Sequence, residues 1–159
     1  MSKPLGSKLP GDIITLLSCN NDPKDSVVAL ATADQAGFPH FALLSPYQVI
    51  APGESTLYVA VYDGTASCSN LLRTSHGTLL LFHGGGAYYI KGSFVEHGKI
   101  ESSANHTLEV VFRVQLREVL LDRSEIAPII SEPRFSVKNV RDAYTHTRES
   151  LCRLAGSTA

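Results

Sequence analysis

Three hydroxyl side chains, Thr65, Ser67 and Ser69, follow the turn pair Asp63-Gly64 and lead into Asn70-Leu71-Leu72-Arg73. Upstream, Leu57, Val59 and Val61 alternate with Tyr58, Ala60 and Tyr62, a strand pattern. The stretch 57–73 therefore predicts a strand that turns through Gly64 into a short helix. A helix start rich in Ser and Thr has the chemistry to hold an anion. Its first backbone N–H groups lack intrahelical acceptors, its hydroxyls donate, and the positive end of its dipole faces the same way. The same residues also fit a plainer role, because Thr65 or Ser67 can simply cap the helix.

Other chemistry is sparse. The six histidines show no HxH or HExxH spacing, so no metal site is expected. No GxSxG elbow and no Ser-His-Asp order can be read. Cys68 stands at the predicted helix start, where a thiol pKa can fall, but no base lies next to it and a buried structural role is the ordinary one. No catalytic residue is assignable.

Bulk properties narrow the class. The chain has 159 residues, 43% of them hydrophobic, enough for one domain with its own core. Lys and Arg number 14 against 15 Asp and Glu, with no basic run, which argues against a nucleic-acid surface. No apolar stretch is long enough to span a membrane, and the first twelve residues lack a signal-peptide core. Cys19, Cys68 and Cys152 are odd in number and far apart, which predicts reduced thiols and a cytoplasmic protein.

The elements that must position the hydroxyl cluster follow from periodicity. A helix is expected over about 10–19, capped by Asp12. Strands are expected over 26–33 and 38–49, joined by Asp34-Gln35-Ala36-Gly37. Residues 77–83 form an apolar run expected to be covered on both faces, and 87–96 run back after the Gly84-Gly85-Gly86 turn. Residues 97–105 read as a polar loop. Leu108, Val110, Phe112, Val114 and Leu116 then share one strand face, with Glu109, Arg113, Gln115 and Arg117 on a wet or interfacial one. A short helix is expected over 123–130. A final helix over about 139–154, with Asn139 and Asp142 at cap-like spacing, aligns Val140, Tyr144, Thr147, Leu151 and Leu154 and leaves Arg141, Arg148 and Arg153 off that face. Hairpin-linked strands with helices at both ends predict a small antiparallel barrel over about 26–121.

The runs VVALATADQAGFPHFALLSP, LYVAVYDGTASCSNLLR, TLLLF and AYYIKGSF, in this order, resemble the FMN-binding split-barrel family of pyridoxamine 5′-phosphate oxidase-like proteins. The resemblance covers about 26–94. It implies a mainly β fold with peripheral helices, a six-stranded antiparallel split β-barrel, and a homodimer with two FMN sites across its interface. It places His40, Phe41, Ala42, Leu43, Leu44 and Ser45 along the flavin and Tyr62, Thr65, Ser67, Ser69 and Asn70 around its phosphate. His40 then either meets an anion or hydrogen-bonds at a strand end. The oxidases hold the phosphate with Arg and Lys, whereas the matching positions here are His40, Ser45, Cys68 and Ser69, none a permanent cation. Arg73, expected to face solvent, or Lys91, expected at the barrel rim, can supply charge from nearby. The C-terminal residues that grip pyridoxamine phosphate have no counterpart, so that reaction is not expected. Two functions remain open: an FMN-dependent oxidoreductase on a small substrate, or a non-enzymatic split-barrel protein with weak or lost FMN binding that acts as a binding or stress-related module.

Overall fold

The sheet grows from hairpins whose turns are written locally. The computed structural model describes residues 1–102 and 106–156. In β2 (Val28–Ala33) and β3 (Pro39–Leu44), Ala33 faces Pro39 across the turn. The Asp34 carboxylate closes that turn by accepting from the Ala36 and Phe38 amides, both at 2.9 Å. In β6 (His76–His83) and β7 (Gly86–Glu101), Gly84 and Gly85 have φ of 58° and 77°, which glycine adopts without a Cβ clash. β5 (Thr56–Tyr62) and β8 (Leu108–Asp122) complete the six longer strands.

Two further strands have two residues each, β1 (Lys3–Pro4) and β4 (Val49–Ile50), so the described residues hold eight strands rather than six. The antiparallel order is β3-β2-β6-β7-β8-β5-β4, with β1 added against β8. The sheet curls around one apolar cluster. Leu30, Leu44, Val49, Val59, Leu79, Ile90, Phe94, Phe112 and Val114 share it with Ile13 and Leu17 of α1 (Gly11–Leu17) and Leu71 of α2 (Ala66–Thr74). The mainly β split barrel with peripheral helices is thus the observed architecture.

Several local expectations are corrected. The run expected over 38–49 stops at Leu44, because Ser45 opens a 3₁₀ turn, Pro46–Gln48, before β4. Asp12 does not cap α1; Pro10 holds that position, and the Asp12 carboxylate accepts from the Ile13 amide inside the first turn. Along β6 only Leu79 and Leu81 are fully buried, so one face is covered, not both. Residues 97–101, read as loop, continue β7; the expected loop's residues 103–105 lie outside the described residues. No helix forms over 123–130.

α3 (Arg141–Leu154) starts after Val140, with neither Asn139 nor Asp142 capping it. Its buried residues are Thr147, Arg148, Leu151 and Cys152, so Arg148 lies on the inner face and not off it. Leu151 and Cys152 pack on Ile50, Tyr58, Ala60, Ile100 and Val111, the outside of the curled sheet. The face of β8 expected to be wet is therefore covered there: Val111 is fully buried and Glu109 is 1% exposed. The thiols are not all reduced either, since Cys19 and Cys152 form a disulfide with Cα atoms 6.1 Å apart, and only Cys68 is free. No helix among the described residues is long and apolar enough to cross a membrane.

Candidate functional site

The strand-to-helix turn builds as the sequence implies. Tyr62 ends β5 half-buried, Gly64 takes φ of 76°, and α2 begins at Ala66. Thr65 is its cap: the Thr65 hydroxyl accepts from the Cys68 amide at 3.3 Å and donates to the Tyr62 carbonyl at 2.8 Å. That hydroxyl is therefore engaged. Ser69 is exposed on the first turn. Ser67 is 2% exposed, and its hydroxyl has no hydrogen-bond partner. The Cys68 thiol lies in the core, and burial pushes its pKa up rather than down, which removes it as a nucleophile.

α2 is pinned to the β2–β3 hairpin by side chains. Asn70, 6% exposed, donates its amide to the Thr32 hydroxyl at 3.1 Å, and Thr32 donates to the His40 carbonyl at 3.4 Å. Arg73 donates to the Ala33 main-chain carbonyl and to the Asn70 side-chain oxygen, so it braces the far end of α2, although its side chain is exposed as expected. The two halves of the predicted site, β3 and the helix start, are thereby joined. The Asn70 side chain and the His40 carbonyl do the joining, through Thr32.

β3 is an edge strand with an uncovered face. Phe41 and Leu43 are 61% and 63% exposed, while His40 and Ala42 are half-buried. Leu44 turns into the core. Ser45 is buried at 5%, and its hydroxyl donates to the Gln48 side-chain oxygen at 3.2 Å, which also accepts from the Ser45 amide. The Ser45 hydroxyl thus belongs to a buried network. The other side of Gln48 donates to the Ala60 carbonyl at 3.3 Å and to Glu109 at 2.9 Å. Burial pushes the Glu109 carboxyl up to about 7, against the lowering effect of the Gln48 donation.

A cation missed in the sequence stands near the helix start. Lys99 of β7 pairs with Asp63 in the turn before α2, at 2.7 Å. The pair raises the Lys99 pKa and lowers that of Asp63. Lys91 is engaged elsewhere, with Glu118 at 2.6 Å. Reading 97–105 as a loop hid Lys99; Ile100, buried on the continuing strand, was the available signal.

Solved structures of other proteins carry this arrangement of strands. A "putative pyridoxamine 5′-phosphate oxidase" of Lactobacillus delbrueckii superposes with a TM-score of 0.56 at 20% identity, over 74% of this chain and 98% of that one. An FMN-binding protein of Syntrophomonas wolfei does so with a TM-score of 0.52 at 13% identity, over 77% and 87%. The chain has the split-barrel fold. In sequence, the split barrel matches the uncharacterized protein YclD of Bacillus subtilis (strain 168), 31% identical over 74 residues, 46% of this chain. The chain spans about half the length of that curated relative, 48%. No family model matches it.

Among the described residues of the split barrel, then, an amide-and-hydroxyl helix start, one neighbouring Lys and an uncovered apolar strand edge lie on a connected set of elements. The donor set suits a phosphate: the exposed Ser69 hydroxyl, the orphaned Ser67 hydroxyl and the amides of Ala66 and Ser67 can donate, with Asp63 and Glu96 as the acidic groups nearby.

Proposed function

We propose that this split barrel is an FMN-binding flavoprotein, a flavin-dependent oxidoreductase acting on a small substrate. The observation that carries the reading is the start of α2. Its first amides, the exposed Ser69 and the unpartnered Ser67 hydroxyl sit beside Lys99, and Asn70 ties them to the uncovered β3. Ser69, the α2 amides and Lys99 would hold the phosphate. The exposed faces of Phe41 and Leu43 would lie along the ring system, with His40 and Ala42 beside it. The flavin, when bound, supplies the electron transfer; the protein positions it and shields it from water. The apolar exposure of β3 also supports a homodimer in which a second copy covers this edge and completes the flavin site. The fold shared with the S. wolfei FMN-binding protein agrees with this assignment.

A second reading keeps the fold without the chemistry. It is favoured by the Lys99–Asp63 pair, which leaves the helix start without net positive charge. Purified protein should carry flavin absorbance or take up added FMN with quenched fluorescence. Ser69→Asp, an exposed change that leaves the core intact, should weaken FMN by about tenfold or more, since a carboxylate there repels the phosphate by at least about 1.4 kcal/mol. Colourless protein that ignores FMN, or Ser69→Asp with unchanged affinity, would defeat the first reading.

A further inference from the structure

The geometry points to a thiol–disulfide exchange site at Cys19–Cys152, open to a small thiol and separate from the α2 cluster. Both cysteines line a cavity of about 700 Å³ between α3 and the loop after α1, together with Asn20, Tyr47, Arg148 and Arg153. Solvent-exposed disulfides are the more readily exchanged ones. This one forms part of a wall, with Cys19 half-buried and Cys152 only 4% exposed. The two sulfurs are therefore unequal, and Cys19 is the one an incoming thiol reaches.

The charge around the pair favours the same direction of attack. Arg148 precedes Cys152 by one helical turn, on the same buried face of α3. Its guanidinium donates to three main-chain carbonyls, those of Pro46 at 2.7 Å, Val49 at 3.2 Å and Ser18 at 2.6 Å. None of those acceptors carries a charge, and its Nε, buried, has no partner. Asp22 and Glu149 also line the cavity, and Asp22 acts on the Arg148 charge through space, but neither carboxylate accepts a hydrogen bond from the guanidinium, which stays available to stabilise a thiolate leaving from Cys152.

The step balances as follows. The thiolate of a low-molecular-weight thiol attacks Cys19 Sγ, forming a mixed disulfide and breaking the Cys19–Cys152 bond. The electron pair leaves on Cys152 Sγ, which takes up the proton released by the attacking thiol. A second thiol then attacks the mixed disulfide, leaving Cys19 as a thiol. Two thiols are thereby oxidised to their disulfide while the protein gains two electrons and two protons.

Opening the bond has a mechanical consequence. α3 is held to the sheet by a small apolar cluster and by Arg148, and to the loop after α1 by this bridge. Arg148 grips both ends of the 3₁₀ turn that carries Gln48, and Gln48 holds Ser45 at the end of β3. Exchange at Cys19 would loosen that turn; any effect on flavin rests on the function proposed above, whereas the exchange itself does not.

The test uses the full oxidised protein in native buffer with glutathione, quenched by alkylation and mapped by mass spectrometry. The expected product carries glutathione on Cys19 and the alkyl group on Cys152, with buried Cys68 unmodified. Hydrogen exchange at residues 46–49 and along α3 should be faster in the exchanged protein, and Cys19→Ser, which cannot form the bridge, should show the same faster exchange without any adduct. Reaction only after urea is added, or glutathione found on Cys152 instead of Cys19, would overturn the site. Unchanged hydrogen exchange at 46–49 would overturn the mechanical link. FMN titration run in parallel separates the two proposals: no uptake in either redox state defeats the flavin reading and leaves the exchange result standing.

Discussion

Replacing Glu109 by Gln should stabilise the protein at alkaline pH and flatten its pH dependence. Glu109 is 1% exposed, one oxygen accepts from Gln48 at 2.9 Å, and the other has no partner. Burial raises its pKa from an ordinary 4.5 to about 7. Below about pH 4.5 the carboxyl is protonated in both folded and unfolded chains, and its contribution to stability is fully present. Between that point and about pH 7 the unfolded chain ionises while the folded one holds its proton, so stability falls as pH rises. Above about 7 the loss is complete. At about 1.4 kcal/mol per pKa unit, the gap between about 7 and 4.5 costs about 3 kcal/mol. Gln keeps the shape and can still accept from Gln48. Its NH2 leaves two donors without an acceptor where the protonated acid leaves one, so Glu109→Gln should start with a constant disadvantage in acid, and the pH-dependent change in the separation is the quantity to read. Urea unfolding of both proteins should show their separation shifting by about 2–3 kcal/mol between pH 5 and pH 8, in favour of Glu109→Gln. A separation that stays constant over that range would mean Glu109 is ionised in the folded protein and reached by water, and the burial argument would fail.

Two other changes probe the helix start. Asp63→Asn removes the carboxylate that Lys99 now pairs with at 2.7 Å. FMN affinity should rise severalfold at low salt and less at high salt, with riboflavin, which lacks the phosphate, unaffected; a fall in FMN affinity would show that Asp63 does not compete with the phosphate. Thr65→Ala deletes the α2 cap and should cost about 1 kcal/mol in urea unfolding with the slope unchanged. No loss would mean that water replaces the Thr65 hydroxyl at the Cys68 amide.

What could be read from the sequence was what is local in space. Asp34 and the Gly84–Gly86 turn announce their hairpins because the residues that bend the chain are those in the bend. Leu57–Arg73 could be read as strand, turn and helix for the same reason. Val110, Phe112, Val114 and Leu116 were correctly placed inward, but Leu108, read with them, is 47% exposed. Glu109 and Val111 could not be placed, because Val111 is covered by α3, 30 or more residues on, and Glu109 meets Gln48, 61 residues back. The Cys19–Cys152 bridge, 133 residues apart, is hidden for the same reason. Lys99 was lost where β7 shifts register between Glu96 and Gly98, since a bulge breaks the alternation that marks a strand. Within the site, types were legible but orientations were not: Thr65, Ser67 and Ser69 differ in burial because a helix turns about 100° per residue, so only Ser69 faces solvent with its hydroxyl free of the cap.

The misses at Glu109, Val111 and Cys152 lie on the outer side of the sheet, and that side holds its own polar order. Gln48 spends both halves of its amide, one on Ser45 and one on Ala60 and Glu109. Arg148 fixes the turn that carries Gln48 from both ends. The end of β3 is therefore positioned by a helix far away in sequence as well as by its own hairpin, where Leu44 pairs with Val28. A flavin lying along Phe41–Leu43 would sense that position through Leu44 and Ser45. Changes at Glu109 or Cys19 should then alter flavin affinity more than equally destabilising changes near the Asp34 turn, because only the former pass through Gln48.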